Sequence, residues 1–226
     1  MAENMILYWG SGSPPCWRVM LALEEKSLSG YQSKLVSFSK KEHKGEEVLK
    51  LNPRGQTPTF RDGDVVVNES NAICFYLEDR YHDKGQKLLP DDQKQKAEVL
   101  QRTFEAANLQ TVFIEKIVHY KRFTKPENQD EKLMEERFSN ARVELNIWEN
   151  YLKKNGDGAF IVGKEFTMAD VFLFPYVAFL VRMGLQIEKF PALSTYYKRL
   201  CDRPSVQASW PPHWKEGPGQ TIMSTI

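Results

Sequence analysis

Apolar and polar positions follow two different rhythms along this chain. Over residues 5–81 short apolar runs alternate with helical stripes. Met5 to Trp9 is an unbroken apolar run suited to a buried strand. After Ser13, residues Cys16, Val19, Met20 and Leu23 recur at the i, i+3, i+4, i+7 spacing of one helix face. Leu35 to Phe38 reads as a second strand, followed by a Lys- and Glu-rich stretch from Ser39 to Lys50 with room for a short helix. Thr59–Arg61 and Val65–Val67 flank Asp62-Gly63, a dipeptide favoured in tight hairpin turns. Glu69 then opens a helix striped by Ile73, Leu77 and Tyr81, with Ala72 and Tyr76 alongside. Strand, helix, strand, hairpin, helix is a parallel crossover with an antiparallel edge, a compact α/β unit.

The rhythm then changes. From Asp83 to Gln93 the chain is polar and reads as a linker. Beyond it only helical periodicity survives, from Gln95 to Arg122, Asp130 to Lys154, Met168 to Arg182 and Pro191 to Cys201. The pattern predicts an α/β domain over 1–83, a linker over 84–93 and an all-α domain over 94–226. The tail after Arg203, carrying Trp210, Pro211, Pro212, Trp214 and Gly217, is expected to lie extended over the body. Leu109, Phe113, Ile117 and Tyr120 form an i, i+4, i+8, i+11 stripe that serves either as core or as the wall of an apolar pocket. Phe75, Tyr76, Leu77 and Tyr81 in one helix, and Val99, Leu100 and Phe104 in the next, put apolar groups on more than one face. That surplus predicts a homodimer, since a two-fold axis lets a patch cover itself.

Composition removes several function classes. Thirty-one Lys and Arg balance 30 Asp and Glu, giving a net charge of +1 and no reason to expect nucleic acid or an anionic membrane as partner. No apolar run approaches the roughly 20 residues that span a bilayer. The start, Met-Ala-Glu-Asn, lacks the basic and apolar regions of a signal peptide. Cys16, Cys74 and Cys201 are too few and too far apart for a disulfide framework or a zinc site. A cytoplasmic protein with reduced thiols and no metal is expected.

Three segments carry candidate chemistry. Gly10-Ser11-Gly12-Ser13-Pro14-Pro15-Cys16 joins the first strand to the first helix. Ser13 is either a plain helix N-cap with Pro14 at N1, or a hydroxyl placed to donate to an anion such as a thiolate. Asn52-Pro53-Arg54-Gly55-Gln56-Thr57-Pro58 leads into the hairpin. Pro58 lacks an N–H, and Thr57 is an edge residue able to pair with an extended peptide. Glu69-Ser70, at a helix start, is either a capping pair or a site for an amino-acid end group.

Ser13-Pro14-Pro15-Cys16, Asn52 through Pro58 and Glu69-Ser70 occur in the order and spacing of the glutathione transferase N-terminal domain, and the chain is identified as resembling that family. Gly163 through Asp170 is similar to the family's N-capping box, with Thr167 and Asp170 three residues apart. Gly-Ser-Gly-Ser-Pro-Pro-Cys and the Trp-Pro-Pro-x-Trp tail most resemble the rho class of fishes, with a serine-type site like those of the theta and zeta classes. The resemblance implies a thioredoxin-like first domain and a helical second one. It also implies a cytosolic, dimeric enzyme that adds the glutathione thiolate to small hydrophobic electrophiles, with glutathione as co-substrate and no permanently bound cofactor. Ser13 would face the glutathione sulfur, with Ser11 sharing or replacing that role and Tyr8 a weaker alternative. Thr57, before a cis-Pro58, would pair with the cysteinyl part. Glu69 and Ser70 would hold the γ-glutamyl end. His43 and Gln56, with Lys44 a lesser choice, would hold the glycine carboxylate. Trp9, Phe174 and Trp210 join Leu109, Phe113, Ile117 and Tyr120 as expected electrophile contacts. A zeta-type isomerase lacks support because the full Ser-Ser-Cys signature is absent. A non-catalytic glutathione-transferase-like module is disfavoured by the presence of Ser13, Pro58, Glu69 and Ser70.

Overall fold

The apolar run Met5–Trp9 forms β1, buried at every position. The computed structural model describes residues 2–156 and 158–226. It divides them into a first unit, residues 2–89 with 203–217, and a second, 90–202 with 218–226. In the first unit β1 lies between β2 (Gln32–Leu35) and β3 (Thr59–Asp62), and β4 (Val65–Asn68) closes the order β2-β1-β3-β4. β1 runs parallel to β2 and antiparallel to β3, and the β3–β4 hairpin turns through Gly63 at φ 60. Strand β2 ends where the apolar pattern predicts it to begin. It is an edge strand of mostly exposed residues, so no apolar alternation marks it. The apolar residue that follows, Val36, instead joins Ile6, Tyr8 and Val48 in a core beneath the helix α2 (Glu46–Leu51). Alternation along β1 sends Met5, Leu7 and Trp9 to the opposite face.

Helix α1 (Pro14–Glu25) packs against α3 (Ser70–Arg80). The buried Lys26 ammonium meets Glu78 at 2.9 Å, and Glu78 also accepts the Leu88 and Leu89 amides. Asp62 ties the hairpin to the end of α3 by accepting hydroxyls from Tyr76 (2.9 Å) and Tyr81 (2.5 Å). Burial, and then those bonds to a carboxylate, push the Tyr76 phenol up to about 12.

The tail departs from the extended strap expected of it. Pro204–Ala208 is a short helix and Pro212–Trp214 a 3-10 turn, and this segment belongs to the first unit rather than to the helical domain. Glu25, at the end of α1, receives Arg203 Nε and Nη2 at 2.6 Å each, and Ser205 Oγ as well. Trp17 donates to Ser209 Oγ (2.9 Å) and meets Trp210 and Trp214 edge-on at 5.3 and 5.4 Å. Aromatic burial and a bidentate ion pair over 170 residues of sequence separation leave no local trace in the pattern.

In the second unit the predicted helix 95–122 is interrupted. Gln93–Ala107 is α-helical, Gln110–His119 winds as a π-helix and Tyr120–Phe123 returns to α. The buried pairs Phe113–Ile114 and Ile117–Val118 put two side chains per turn toward the core, which i→i+5 winding accommodates. The long helix Glu131–Asn155 starts at Asp130, whose carboxylate accepts the Leu133 amide at 3.0 Å. It packs on Pro191–Cys201, and its buried Glu149 caps that helix through the Ala192 and Leu193 amides. Met168–Arg182 is the buried centre of the unit and packs against Gln93–Ala107. The expected capping box is present at its start. Asp170 accepts from the Thr167 amide (2.9 Å), the Ile161 amide (3.0 Å), the Thr167 hydroxyl and the Tyr196 hydroxyl (both 3.1 Å).

Candidate functional site

The β1–α1 loop folds as a turn, with Ser13 N–H on the Gly10 carbonyl (3.3 Å) and Gly12 at φ +75. Ser13 occupies the N-cap position, φ −84 and ψ 114, and its carbonyl starts the helix by accepting Trp17 N–H. Its hydroxyl makes no capping bond. Pro14 and Pro15 also remove two of the first three amides that a helix start presents, so this terminus is weaker as an anion site than the loop alone suggests. An anion here depends more on the hydroxyl.

Cys16, fully buried, marks where the segments converge. It accepts Gly10 N–H at 3.4 Å, and the Ser13 and Thr57 hydroxyls lie beside its sulfur. Burial pushes this thiol up, against the opposing pull of those three groups and of Arg18, so it stays a neutral core thiol. The antiparallel ladder ends with Tyr8 opposite Thr59, and just beyond it Gly10 and Thr57 both meet Cys16. The Thr57–Pro58 peptide is cis, and Thr57 Oγ1 is buried without a hydrogen-bond partner. Asn52 organises this turn. It donates to the Gln56 carbonyl (3.0 Å) and to Thr59 Oγ1 (3.3 Å), and accepts the Arg54 amide. That role was not read from the sequence, since an Asn before Pro signals only a turn.

His43 sits in a 3-10 turn, half-buried, edge-on to Phe38 at 5.2 Å, with Nδ1 buried and unpartnered. Gly55 at φ +56 packs on that turn; a Cβ there would lie 3.2 Å from the His43 carbonyl. Lys44 is spent on structure, donating to the Arg54 carbonyl at 2.8 Å. Gln56 is exposed beside it. Glu69, exposed, caps α3 in a left-handed conformation, φ 70, that is costly for a residue with a Cβ. Ser70 begins the helix and is buried. Next to it, Asn71 accepts from the buried Arg18 guanidinium at 2.6 Å, joining the α3 start to α1.

The other candidates separate from this cluster. Tyr8 turns to the α2 face, where its hydroxyl donates to Glu47 (3.1 Å) and Lys34 lies over its ring. Trp9 donates to Ser33 at 2.8 Å. Trp210 belongs to the tryptophan cluster on α1. In the second unit Leu109, Phe113, Ile117 and Phe174 are 2, 1, 0 and 0% exposed, so they are enclosed rather than lining a surface. Phe174 stacks on Tyr197, while Tyr120 accepts the Asp130 amide (2.8 Å) and lies under Arg137. Among the described residues no helix is long and apolar enough to cross a membrane, and no group of His, Cys, Asp and Glu is placed to hold a metal.

Ser11, by contrast, is held from far away in sequence: its Oγ lies 2.5 Å from His213 Nδ1, a residue that no motif or spacing singles out.

Comparison with known proteins follows the same division. Residues 12–80 match the glutathione S-transferase N-terminal domain and residues 112–204 the glutathione S-transferase C-terminal domain. The chain is 47% identical over 227 residues to glutathione S-transferase A of Pleuronectes platessa, covering 100% of both. A crystal structure of a glutathione S-transferase from the Antarctic clam Laternula elliptica is similar at a TM-score of 0.89 and 50% identity, over 98% of each chain. A glutathione transferase of Phanerochaete chrysosporium, solved with oxidised glutathione, is similar at 0.78 and 28% identity over 95% of this chain and 96% of that one.

Proposed function

Because the chain belongs to the glutathione S-transferase family, we propose that it conjugates the thiolate of glutathione, bound as co-substrate, to small apolar electrophiles. The observation that carries this reading is the Ser13 hydroxyl, at a helix N-cap yet making no capping bond, beside the cis Thr57–Pro58 turn. In the reading, Ser13 donates to the glutathione sulfur. Thr57 pairs with the cysteinyl part through its backbone, Glu69 and Ser70 take the γ-glutamyl end, and His43 and Gln56 take the glycine carboxylate. The unpartnered buried atoms at His43 Nδ1 and Thr57 Oγ1 support a polar ligand between those segments.

A free thiol is only a few per cent ionised at neutral pH. Making it mostly thiolate requires lowering its pKa by about two units, or ~2.7 kcal/mol. A hydrogen bond to an anion contributes about 1.5–3 kcal/mol, so Ser13 can supply most of that even where two helix amides are missing. The electrophile contacts proposed are Trp9 and Trp210 in the first unit and, in the second, Tyr120 with Phe174 on the enclosed side of its helix. Leu109, Phe113 and Ile117 complete the proposed set as enclosed residues of the second unit. The loop and tail motifs support the rho class, and a homodimer in the cytoplasm completes the reading. The zeta-type isomerase is not favoured.

Retention on glutathione-agarose with conjugation of 1-chloro-2,4-dinitrobenzene is the expected result. Retention without turnover would indicate a non-catalytic module, and the absence of both retention and turnover would overturn the reading. Sedimentation equilibrium should give about twice the 26.2 kDa of one chain; a mass near 26.2 kDa removes the dimer.

A further inference from the structure

The tail of the first unit runs along α1 in the opposite direction to the helix. Arg203 and Ser205 bind Glu25 at its last turn, Ser209, Trp210 and Trp214 bind Trp17 near its first, and His213 reaches the loop before it. Its end is pressed onto that loop: a Cβ on Gly12 would lie 2.8 Å from His213 Cε1 and 2.9 Å from Trp214 Nε1. The close approach, with the positive φ, explains why a glycine stands at position 12.

A single proton lies between Ser11 Oγ and His213 Nδ1. With the ring neutral and its proton on Nε2, Nδ1 accepts, and the Ser11 hydroxyl is committed to donating to it. Ser11 then offers only lone pairs to a ligand. Such an oxygen repels a thiolate but accepts the proton of a thiol. Ser13, two residues on, has a hydroxyl proton that no cap uses, beside the Cys16 sulfur. With this tautomer of His213, two serines that look interchangeable in sequence have opposite polarity.

We propose that Ser11 and His213 form the proton-accepting side of the glutathione sulfur site, with His213 a positioning residue that acts through Ser11. The proposal rests on the glutathione reading given above. In the step, the S–H bond breaks and its proton passes to Ser11 Oγ as the Ser11 proton passes to His213 Nδ1. The products are a thiolate, held by Ser13, and an imidazolium. The ring is exposed and returns its Nε2 proton to water, which leaves Nδ1–H donating to Ser11 Oγ and the Ser11 hydroxyl donating to the thiolate. No oxidant or co-reactant is involved. Of the titratable and charged groups on α1, Cys16 is a buried neutral thiol, Arg18 directs its guanidinium to Asn71, and Glu24 and Glu25 lie at the far end, where Glu25 pairs with Arg203. Lys215 and Glu216 follow His213 on its own segment.

His213→Asn tests this, because Asn can hold Ser11 by a hydrogen bond yet cannot take up a proton near neutral pH. The pH profile of kcat/KM for glutathione should move up by about one unit, so that activity at pH 6.5 falls about tenfold while the alkaline plateau is kept. Affinity for S-methylglutathione, which has no thiol proton, should stay at the wild-type value by calorimetry. His213→Ala should shift the profile at least as far, and unchanged thermal unfolding of His213→Asn shows that the fold is intact. A wild-type pH profile in both variants overturns the proposal, and so does a loss that is uniform across pH, which indicates structural support alone. Wild-type protein that fails to bind S-methylglutathione would show instead that the glutathione reading is wrong, and the proposal falls with it.

Discussion

Asp170 in the second unit and the pair His43 and Thr57 in the first are all polar groups with buried atoms, and the fold treats them in opposite ways. Asp170 receives four donors, two amides and two hydroxyls, at 2.9–3.1 Å. His43 Nδ1 has no partner, and Thr57 Oγ1 has only the Cys16 sulfur beside it. An unsatisfied buried polar atom costs about 1–3 kcal/mol, so a fold that leaves two such atoms in adjoining turns is less stable than it could be. The second unit shows no such cluster among the described residues. Its unpartnered atoms are the Nε of Arg102 and Arg199, whose terminal nitrogens are engaged with Glu105 and the Ala159 carbonyl. The first unit also leaves Arg61 Nε and Asn68 Oδ1 open, so an open atom bears on a ligand only beside the motif segments, as at His43 and Thr57.

The largest expected effect tests the first half of that contrast. Asp170→Ala leaves the Ile161 and Thr167 amides and the Tyr196 hydroxyl without an acceptor in the core, and should destabilise by about 3 kcal/mol or more in urea unfolding. Burial, outweighing those bonds, pushes the Asp170 carboxyl up to about 6, against about 3.9 in an unfolded chain. The folded state therefore holds this proton more tightly than the unfolded one. That contribution to stability is whole below pH ~4 and is lost as pH rises through ~6. Asp170→Asn has no such proton, so the stability of wild type minus that of Asp170→Asn should fall between about pH 4 and 6. A difference that is flat over this range would show that the four donors, not burial, set the carboxyl.

Ser13→Ala comes next in size. It should lower kcat/KM about 10- to 100-fold near neutral pH and raise the kinetic pKa of conjugation by one unit or more, with glutathione affinity retained. Ser11→Ala should have the smaller effect. An unchanged pH profile in Ser13→Ala would remove Ser13 from the sulfur and leave the loop's chemistry to Ser11.

What could be read from the sequence follows the range of the interactions. The β1, α1, hairpin and α3 segments were legible because their signals are local: an apolar run, a helical stripe, Asp62-Gly63, and Ser13 before two prolines. The capping box at Thr167 and Asp170 is local too. The edge strand β2 was displaced by three residues because its exposed side chains carry no pattern. The π-winding over Gln110–His119 was missed because apolar pairs four apart fit an ordinary helix as well. The site was legible as motifs but not as roles. Nothing near Ser11 in the sequence distinguishes it from Ser13, since the atom that does so belongs to His213, 202 residues away. The tail was misplaced for the same reason.

Glu69→Ala and Ser70→Ala should each weaken glutathione binding about tenfold, ~1.4 kcal/mol, with little change in turnover at saturation. The left-handed backbone of Glu69 stands at the α3 start, where its side chain is exposed. Titration calorimetry giving wild-type affinity for both variants would move the γ-glutamyl end elsewhere and leave the strain at Glu69 unexplained.

The smallest effect bears most directly on incomplete polar groups. His43→Phe replaces an imidazole of unpartnered Nδ1 by an apolar ring of similar shape, still placed to meet Phe38 edge-on. If the nitrogen is idle in the free protein, its removal relieves a desolvated polar atom, and stability should be unchanged or higher by up to about 1 kcal/mol. If the same nitrogen, or its ring partner, completes its bonding on a glycine carboxylate, glutathione affinity should fall about three- to tenfold in the same variant. The two measurements must move in opposite directions. A variant that loses stability and keeps its affinity would show that His43 is a structural residue like Asp170, and that its open nitrogen marks no ligand.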